Sequence, residues 1–294
     1  MNILREKMLK YKNFPLSKHL VILSKKTKNN LFMLDIKNQY NKDLAYIEKE
    51  HLDKLINFKE NADFKEGVFD AVNGKLMIPY PPQLADLVRL HKTIRQRKSF
   101  TVLEFGLGYS TIIMADALRK NQEDWDKLSR KPEIRNRFMF QLFSVDASQS
   151  WIDHMKAIFP KHLIDRARFQ HSEVEIGTFN GQLCHYYKNL PDIVPDFIYL
   201  DGPHSKDVKG DINGLSFQCD ERTVMSADLL LMESTFLPGI FIIVDGRTNN
   251  ARFLERNFTR RYKTRWDRKG DVTTFELDEE RLGKYNLLAS DFLK

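Results

Sequence analysis

The sequence predicts an α/β protein built on a doubly wound, mostly parallel sheet with helices on both faces. Three observations predict it. From Thr101 onward, short apolar runs alternate with stretches of helical periodicity. The run Val102-Leu103-Glu104-Phe105 turns through Gly106 and Gly108 directly into a helical stretch. That is the geometry in which backbone N–H groups at a helix N-terminus meet a polar or anionic ligand. Finally, Tyr262–Trp266 and Val272–Leu277, separated by Asp267-Arg268-Lys269-Gly270-Asp271, read as a hairpin that makes the last strand antiparallel to its neighbour.

Residues 1–75 read as an N-terminal helical appendage and 76–294 as the main domain. In the appendage, Ile36, Tyr40, Leu44, Ile47, His51, Leu52 and Leu55 recur at helical spacing, with Asp35 as N-cap. This stripe reads as a packing face, with His51 a packing residue on it. It suits a cover for the main domain, part of a lid, or a homo-oligomer surface. Pro79, Pro81 and Pro82 form a rigid entry to a helix carrying Leu84, Leu87, Val88, His91 and Ile94 on one side. Strand Thr101–Phe105 and helix Thr111–Arg119 follow. The segment 120–137 is densely charged without clean periodicity and reads as a surface insertion. Next come strand Met139–Val145, helix Gln149–Phe159, the short strand Arg168–His171 and the fully apolar strand Phe197–Leu200. A helix near Ser226–Ser234, strand Phe241–Val244 and helix Asn250–Asn257 lead to the hairpin.

Hydrophobic residues make up 42% of the chain, enough for a sizeable core. Cys184 and Cys219 form no CxxC pair and no zinc-type spacing, which points to a reduced, cytoplasmic protein. The N-terminus lacks the apolar core of a signal peptide, and Ile240–Val244 is too short to span a bilayer, so no membrane is expected. The net charge of +7 is concentrated. Between Arg247 and Lys269, nine basic residues face two acids, Glu255 and Asp267, which accounts for the whole excess. Such a face suits an anionic partner (a phosphate, an acidic sugar or nucleic acid), or is a solvated helix and hairpin.

Asp146 ends the second strand, 38 residues past Gly108, or 20 once the 18-residue segment 120–137 is set aside. That is the spacing of an acid that accepts hydrogen bonds from ribose hydroxyls. A nicotinamide fingerprint requires a third glycine where this chain has Thr111, and Glu104 just before the turn is unusual for it. Asp201 and Asp245 end two further strands. Two carboxylates converging there can hold a divalent cation or act in acid–base work.

Glu104-Phe105-Gly106-Leu107-Gly108 resembles the first motif of class I S-adenosylmethionine-dependent methyltransferases. Asp196-Phe197-Ile198-Tyr199-Leu200-Asp201-Gly202-Pro203-His204-Ser205 resembles the fourth-strand motif of the small-molecule O-methyltransferase-like branch, and Leu237–Gly246 its fifth-strand motif. The resemblance runs from about Pro81 to Leu277. It implies a Rossmann-like, seven-stranded sheet with a reversed last strand, and S-adenosylmethionine as cofactor. It assigns Glu104, Gly106, Gly108, Ser110, Asp146 and Asp201 to cofactor binding. Metal-dependent relatives carry an Asp-Asn pair at the fifth strand; here Gly246 follows Asp245, leaving Asp201, Asp245 and Asn249 as the candidate magnesium ligands. His204 or Asp201 takes the acceptor's proton, His204 being otherwise a capping turn residue. Arg247 binds an anionic substrate group. The implied reaction is O-methylation of a small anionic or glycan-type acceptor. Two alternatives remain: an RNA methyltransferase using the basic 247–269 face, and a non-catalytic cofactor-binding protein of the same fold. Tyr186 and Tyr187 read as packing residues in a strand pair, and Pro79–Pro82 as a turn.

Overall fold

Seven strands form the central sheet of the computed structural model, which describes residues 38–56, 68–69, 76–78, 83–284, 286–288 and 291. In chain order they are β1 (Thr101–Phe105), β2 (Gln141–Asp146), β3 (Ala167–His171), β4 (Phe197–Leu200), β5 (Phe241–Asp245), β6 (Tyr262–Asp267) and β7 (Val272–Leu277). Across the sheet they lie in the order β6-β7-β5-β4-β1-β2-β3. The pairings from β5 through β4, β1 and β2 to β3 are all parallel. Strand β7 runs antiparallel to both its neighbours, β5 and β6. This is the doubly wound sheet with a reversed last strand that the sequence predicts. The chain winds outward from β1 to β3, then returns to the other side of β1 as β4. Ligands of open α/β sheets bind where the winding reverses.

The central strands are apolar along their length because helices cover both their faces. Every residue of β1 and β4 is buried. Edge strand β6 is mostly exposed and carries Lys263 and Arg265, charges that discourage pairing with another chain. Outside the main sheet, Val174–Phe179 and Gln182–Tyr187 form an antiparallel hairpin, joined on one side by Val208–Lys209. Its turn is Asn180-Gly181, both at positive φ, the two-residue turn that matches strand twist.

The helix after β1 corrects one expectation. It runs from Tyr109 to Asp126, seven residues past Arg119, so the segment 120–137 begins as helix and not as insertion. Asn121 is fully buried and donates to the carbonyls of Ile94 and Ser99. Trp125 packs edge-on against Phe100 at 5.8 Å between ring centres. The helical period is hidden because its buried positions here are an amide and an indole among charges. Much of the distance from Gly108 to Asp146 is therefore helix, and the spacing argument for Asp146 gives way to its observed place at the end of β2.

The chain divides into two units, Met1–Glu66 with Tyr80–Val88, and Gly67–Pro79 with Arg89–Lys294. In the first, residues 38–50 are helical and a tight turn follows at Leu52–Lys54. Ile47, Leu52 and Ile56 are buried, whereas Tyr40 is exposed. His51 is also exposed, at φ +57°, where it caps the turn; it is not the packing residue expected from the stripe. Asp35, Ile36, Pro79, Pro81 and Pro82 lie outside the described residues. Among the described residues no helix is long and apolar enough to cross a membrane.

Candidate functional site

The carboxyl ends of β1, β2, β4 and β5 meet where the winding reverses, and the turn after β1 is the most tightly bonded part of this mouth. Glu104 is fully buried and accepts hydrogen bonds from the hydroxyls of Ser110 (2.5 Å), Thr111 (2.8 Å) and Ser144 (2.5 Å). One carboxyl group thus ties β1 to the first turn of the next helix and to β2. Burial pushes its pKa up to about 7, against the pull of the three hydroxyls.

The two glycines of this turn differ in kind. Gly106 sits at φ +92°, and a Cβ there would lie 2.8 Å from the backbone of Gly202. A Cβ on Gly202 would meet Gly106 at 2.6 Å. The loops after β1 and β4 therefore pack backbone on backbone, joined by Asp201 N–H to Phe105 C=O (3.0 Å), while Gly106 N–H donates to Val145 C=O of β2 (2.9 Å). Gly108 has extended backbone, and an added Cβ would meet only the Ser110 hydroxyl at 3.7 Å. Nothing in the chain itself requires glycine there. A bare backbone at that point leaves room for a ligand to approach.

Asp146 faces this turn from the end of β2. One carboxylate oxygen accepts from Leu107 N–H (3.0 Å) and the other from Ser148 N–H (2.8 Å). Each oxygen keeps lone-pair capacity for a further donor. Burial pushes Asp146 up to about 6, while these backbone bonds pull it down. Trp151 donates its indole N–H to Leu107 C=O (2.9 Å), fixing the loop from the opposite side.

At the ends of β4 and β5, the Tyr199 hydroxyl lies between two carboxylates. It is 2.8 Å from Asp245 and 3.4 Å from Asp201. The Asp201 side chain is exposed at the mouth, yet loss of water around it pushes it up to about 6, with Arg247 opposing and Asp245 adding to the rise. Arg247 donates to the Asp201 carbonyl (2.5 Å), and its Nε is 3.8 Å from the Asp201 carboxylate. Asn249 is not gathered with the two aspartates: its amide donates to the Thr223 hydroxyl (3.3 Å). Among the described residues, no three histidine, cysteine or acidic side chains are placed to hold a metal ion. His204 caps the turn Ser205–Asp207, its Nδ1 accepting from Lys206 N–H at 3.3 Å. Burial lowers its pKa, the nearby Asp207 opposing.

Two residues that sequence reading set aside belong to this region. His185 and Tyr187 alternate on the hairpin strand Gln182–Tyr187 and so share a face. Both are buried, and neither ring nitrogen of His185 nor the Tyr187 hydroxyl has a hydrogen-bond partner; the same holds for Nε of Arg247. Burial and then the charge of Arg247 push His185 down to about 3, so it is a neutral imidazole. Burial raises Tyr187 well above the ordinary phenol value, with Asp146 adding to the rise. The Asn180-Gly181 turn is the signal that would have placed this hairpin from sequence. A separate cavity of about 260 Å³ opens at the opposite, amino-terminal end of the strands, beside Thr101, Asn136, Asp196 and Pro238. The Asp196 carboxylate there is occupied by the N–H groups of Phe100 and Thr101, so the cavity holds none of the groups described above.

The strand order β3-β2-β1-β4-β5-β7-β6, with β7 alone reversed, decides the architecture. It is the Rossmann-like methyltransferase fold. Neither a protein-family model nor a curated protein matches the chain. Among solved structures, it is similar to the O-methyltransferase TomG from Streptomyces achromogenes, bound to SAM, at 13% identity over 67% of this chain and 82% of that one (TM-score 0.35). It is also similar to the Podospora anserina methyltransferase PaMTH1, bound to SAH, at 12% identity over 90% and 100% (TM-score 0.43). A third is the O-methyltransferase from Bacillus cereus in complex with SAH, at 14% over 80% and 90% (TM-score 0.36).

Proposed function

We propose that this protein is an S-adenosylmethionine-dependent O-methyltransferase acting on a small acceptor that bears an anionic or glycan-type group. The observation that carries the reading is the placing of Asp146 beside the Gly106–Gly108 turn. There a glycine the fold does not need faces a carboxylate with acceptor capacity to spare, at the reversal point of the sheet. When bound, the cofactor supplies a sulfonium methyl group, electrophilic toward an oxygen nucleophile. Asp146 would accept hydrogen bonds from its ribose hydroxyls, and the backbone of Gly106 to Gly108 would lie along it. Glu104 and Ser110 serve that site by holding the turn, since each is bonded to the other.

On the acceptor side, Arg247 binds the anionic group and positions the hydroxyl, so that orientation supplies much of the rate. Asp201, pushed up to about 6, accepts the hydroxyl proton as the methyl group transfers. His204 is the weaker base. An imidazole whose Nδ1 accepts a backbone N–H carries its proton on Nε2 and presents a donor to the cleft. Asp245 is held by Tyr199 and orients the site. Asn249 is turned to Thr223, away from the two aspartates. Both described cysteines are unpaired, which supports a reducing, cytoplasmic setting.

Calorimetry with S-adenosylmethionine and S-adenosylhomocysteine tests the reading. Both should bind, and Asp146→Ala should weaken both by about tenfold or more. Binding of neither would end it. Equal binding by the variant would remove Asp146 from the cofactor site.

A further inference from the structure

Five cations of the basic segment 247–269 are held in two different ways. Arg260 is used internally: its guanidinium donates to the carbonyls of Glu233 and Phe236 and pairs with Glu279. Arg261 and Lys263 pair with Asp278. Arg252 and Arg268 have no ion-pair partner among the described residues, and both guanidinium groups lie over the ring of Trp266, at 5.4 and 4.9 Å from its centre. Trp266 is 41% exposed, whereas Trp125 and Trp151 are buried. It forms one wall of a groove of about 230 Å³ between the helix Thr248–Asn257 and strands β6 and β7, lined also by Thr248, Arg252, Glu255, Thr264 and Thr273. The groove begins at Thr248, the residue after Arg247.

We propose that this groove binds a sugar residue bearing an anionic oxygen group, a carboxylate or a phosphate, as an extended subsite of the acceptor. That the sugar belongs to the acceptor rests on the methyltransferase reading; the binding chemistry does not. The part of the indole that the two guanidinium groups leave uncovered offers apolar area to the C–H groups of a sugar ring. Guanidinium groups are planar donors matched to carboxylate and phosphate oxygens. The threonine hydroxyls donate and accept, as sugar hydroxyls require. A nucleic-acid backbone fits less well. Of the cations that would extend a positive stripe along the edge, Arg260 is paired with Glu279, and Arg261 and Lys263 share the one carboxylate of Asp278.

The full chain should be titrated with oligogalacturonate, a phosphorylated mannose oligosaccharide, a neutral maltooligosaccharide and oligouridylate, following fluorescence of the exposed indole. At least one anionic sugar should bind and change the emission; whichever does so identifies the anion. The neutral sugar should bind about tenfold more weakly, and Arg252→Gln with Arg268→Gln should lose about the same factor while melting like the parent. Trp266→Phe should abolish the emission change. The proposal is overturned if neither anionic sugar binds, if the neutral sugar binds equally well, or if oligouridylate binds more tightly than either. Calorimetry with S-adenosylhomocysteine on the same sample separates the two readings. Sugar binding without it keeps the groove and removes the acceptor role, whereas cofactor binding without sugar removes the groove alone.

Discussion

The two halves of the sheet mouth are built in opposite ways. At the end of β1 the polar groups are held from within: Glu104 takes three hydroxyls, Asp146 takes one backbone N–H on each oxygen, and two glycine loops lock together. Elsewhere around the mouth, by contrast, His185, Tyr187 and the Nε of Arg247 are buried without hydrogen-bond partners. Buried polar atoms without hydrogen bonds are costly, about 1–3 kcal/mol each. The first part is thus held together by the chain alone, while the second leaves polar atoms open for hydrogen bonds.

Four substitutions probe that contrast. The largest effect is expected from Asp201→Asn, measured as transfer of a labelled methyl group to an anionic sugar. The rate should fall by about 10²–10⁴-fold. The parent's rate should rise with pH through about 6, as Asp201 ionises, and the variant should lack that limb. An unchanged pH profile would transfer the proton to another group. Next, Gly106→Ala places a Cβ against the Gly202 backbone at a positive φ, and should cost about 3 kcal/mol in denaturant unfolding. Glu104→Gln addresses the first part through pH. The folded pKa of about 7 exceeds the ordinary carboxyl value of 4.5, so the stabilisation from its protonated form is complete below about 4.5 and is lost as pH rises through about 7. The parent should therefore melt lower at pH 8 than at pH 5, and the glutamine variant should remove about 2 kcal/mol of that slope. Asp146, Asp196 and Asp228, also raised by burial, should supply the remainder. The smallest effect is expected from Gly108→Ala: thermal stability should barely move, while cofactor affinity drops about tenfold. A melt as damaged as that of Gly106→Ala would erase the distinction between the two glycines.

Much of this was legible in the chain before any coordinates. Strands β1, β4 and β5 announce themselves as apolar runs closed by an acid, and the terminal hairpin by its alternation around a charged turn. Three features resisted reading, each for a physical reason. The helix end beyond Arg119 was hidden because Asn121 satisfies backbone carbonyls from within the core, where an apolar residue would have shown the period. Gly202 reads as one letter of a motif; only the approach of Gly106 from another loop shows why no side chain fits. His185 and Tyr187 belong to the site through a hairpin outside the main sheet, and no local pattern reports what lies across from a strand. His51 failed in the other direction, since helical spacing continued past the point where the backbone had already turned.

The reversed strand β7 has one further consequence. Asp245, Val272 and Asp267 lie side by side across β5, β7 and β6. Neighbouring strands are spaced about 4.8 Å apart, so the end of β6 that carries Trp266 stands roughly 10 Å from the carboxyl end of β5. On the proposed reading, the inserted strand would act as a ruler. A chain held by its charged residue beside Trp266 would present to the cleft a unit farther along, and the position modified would be chosen by distance from the anchor.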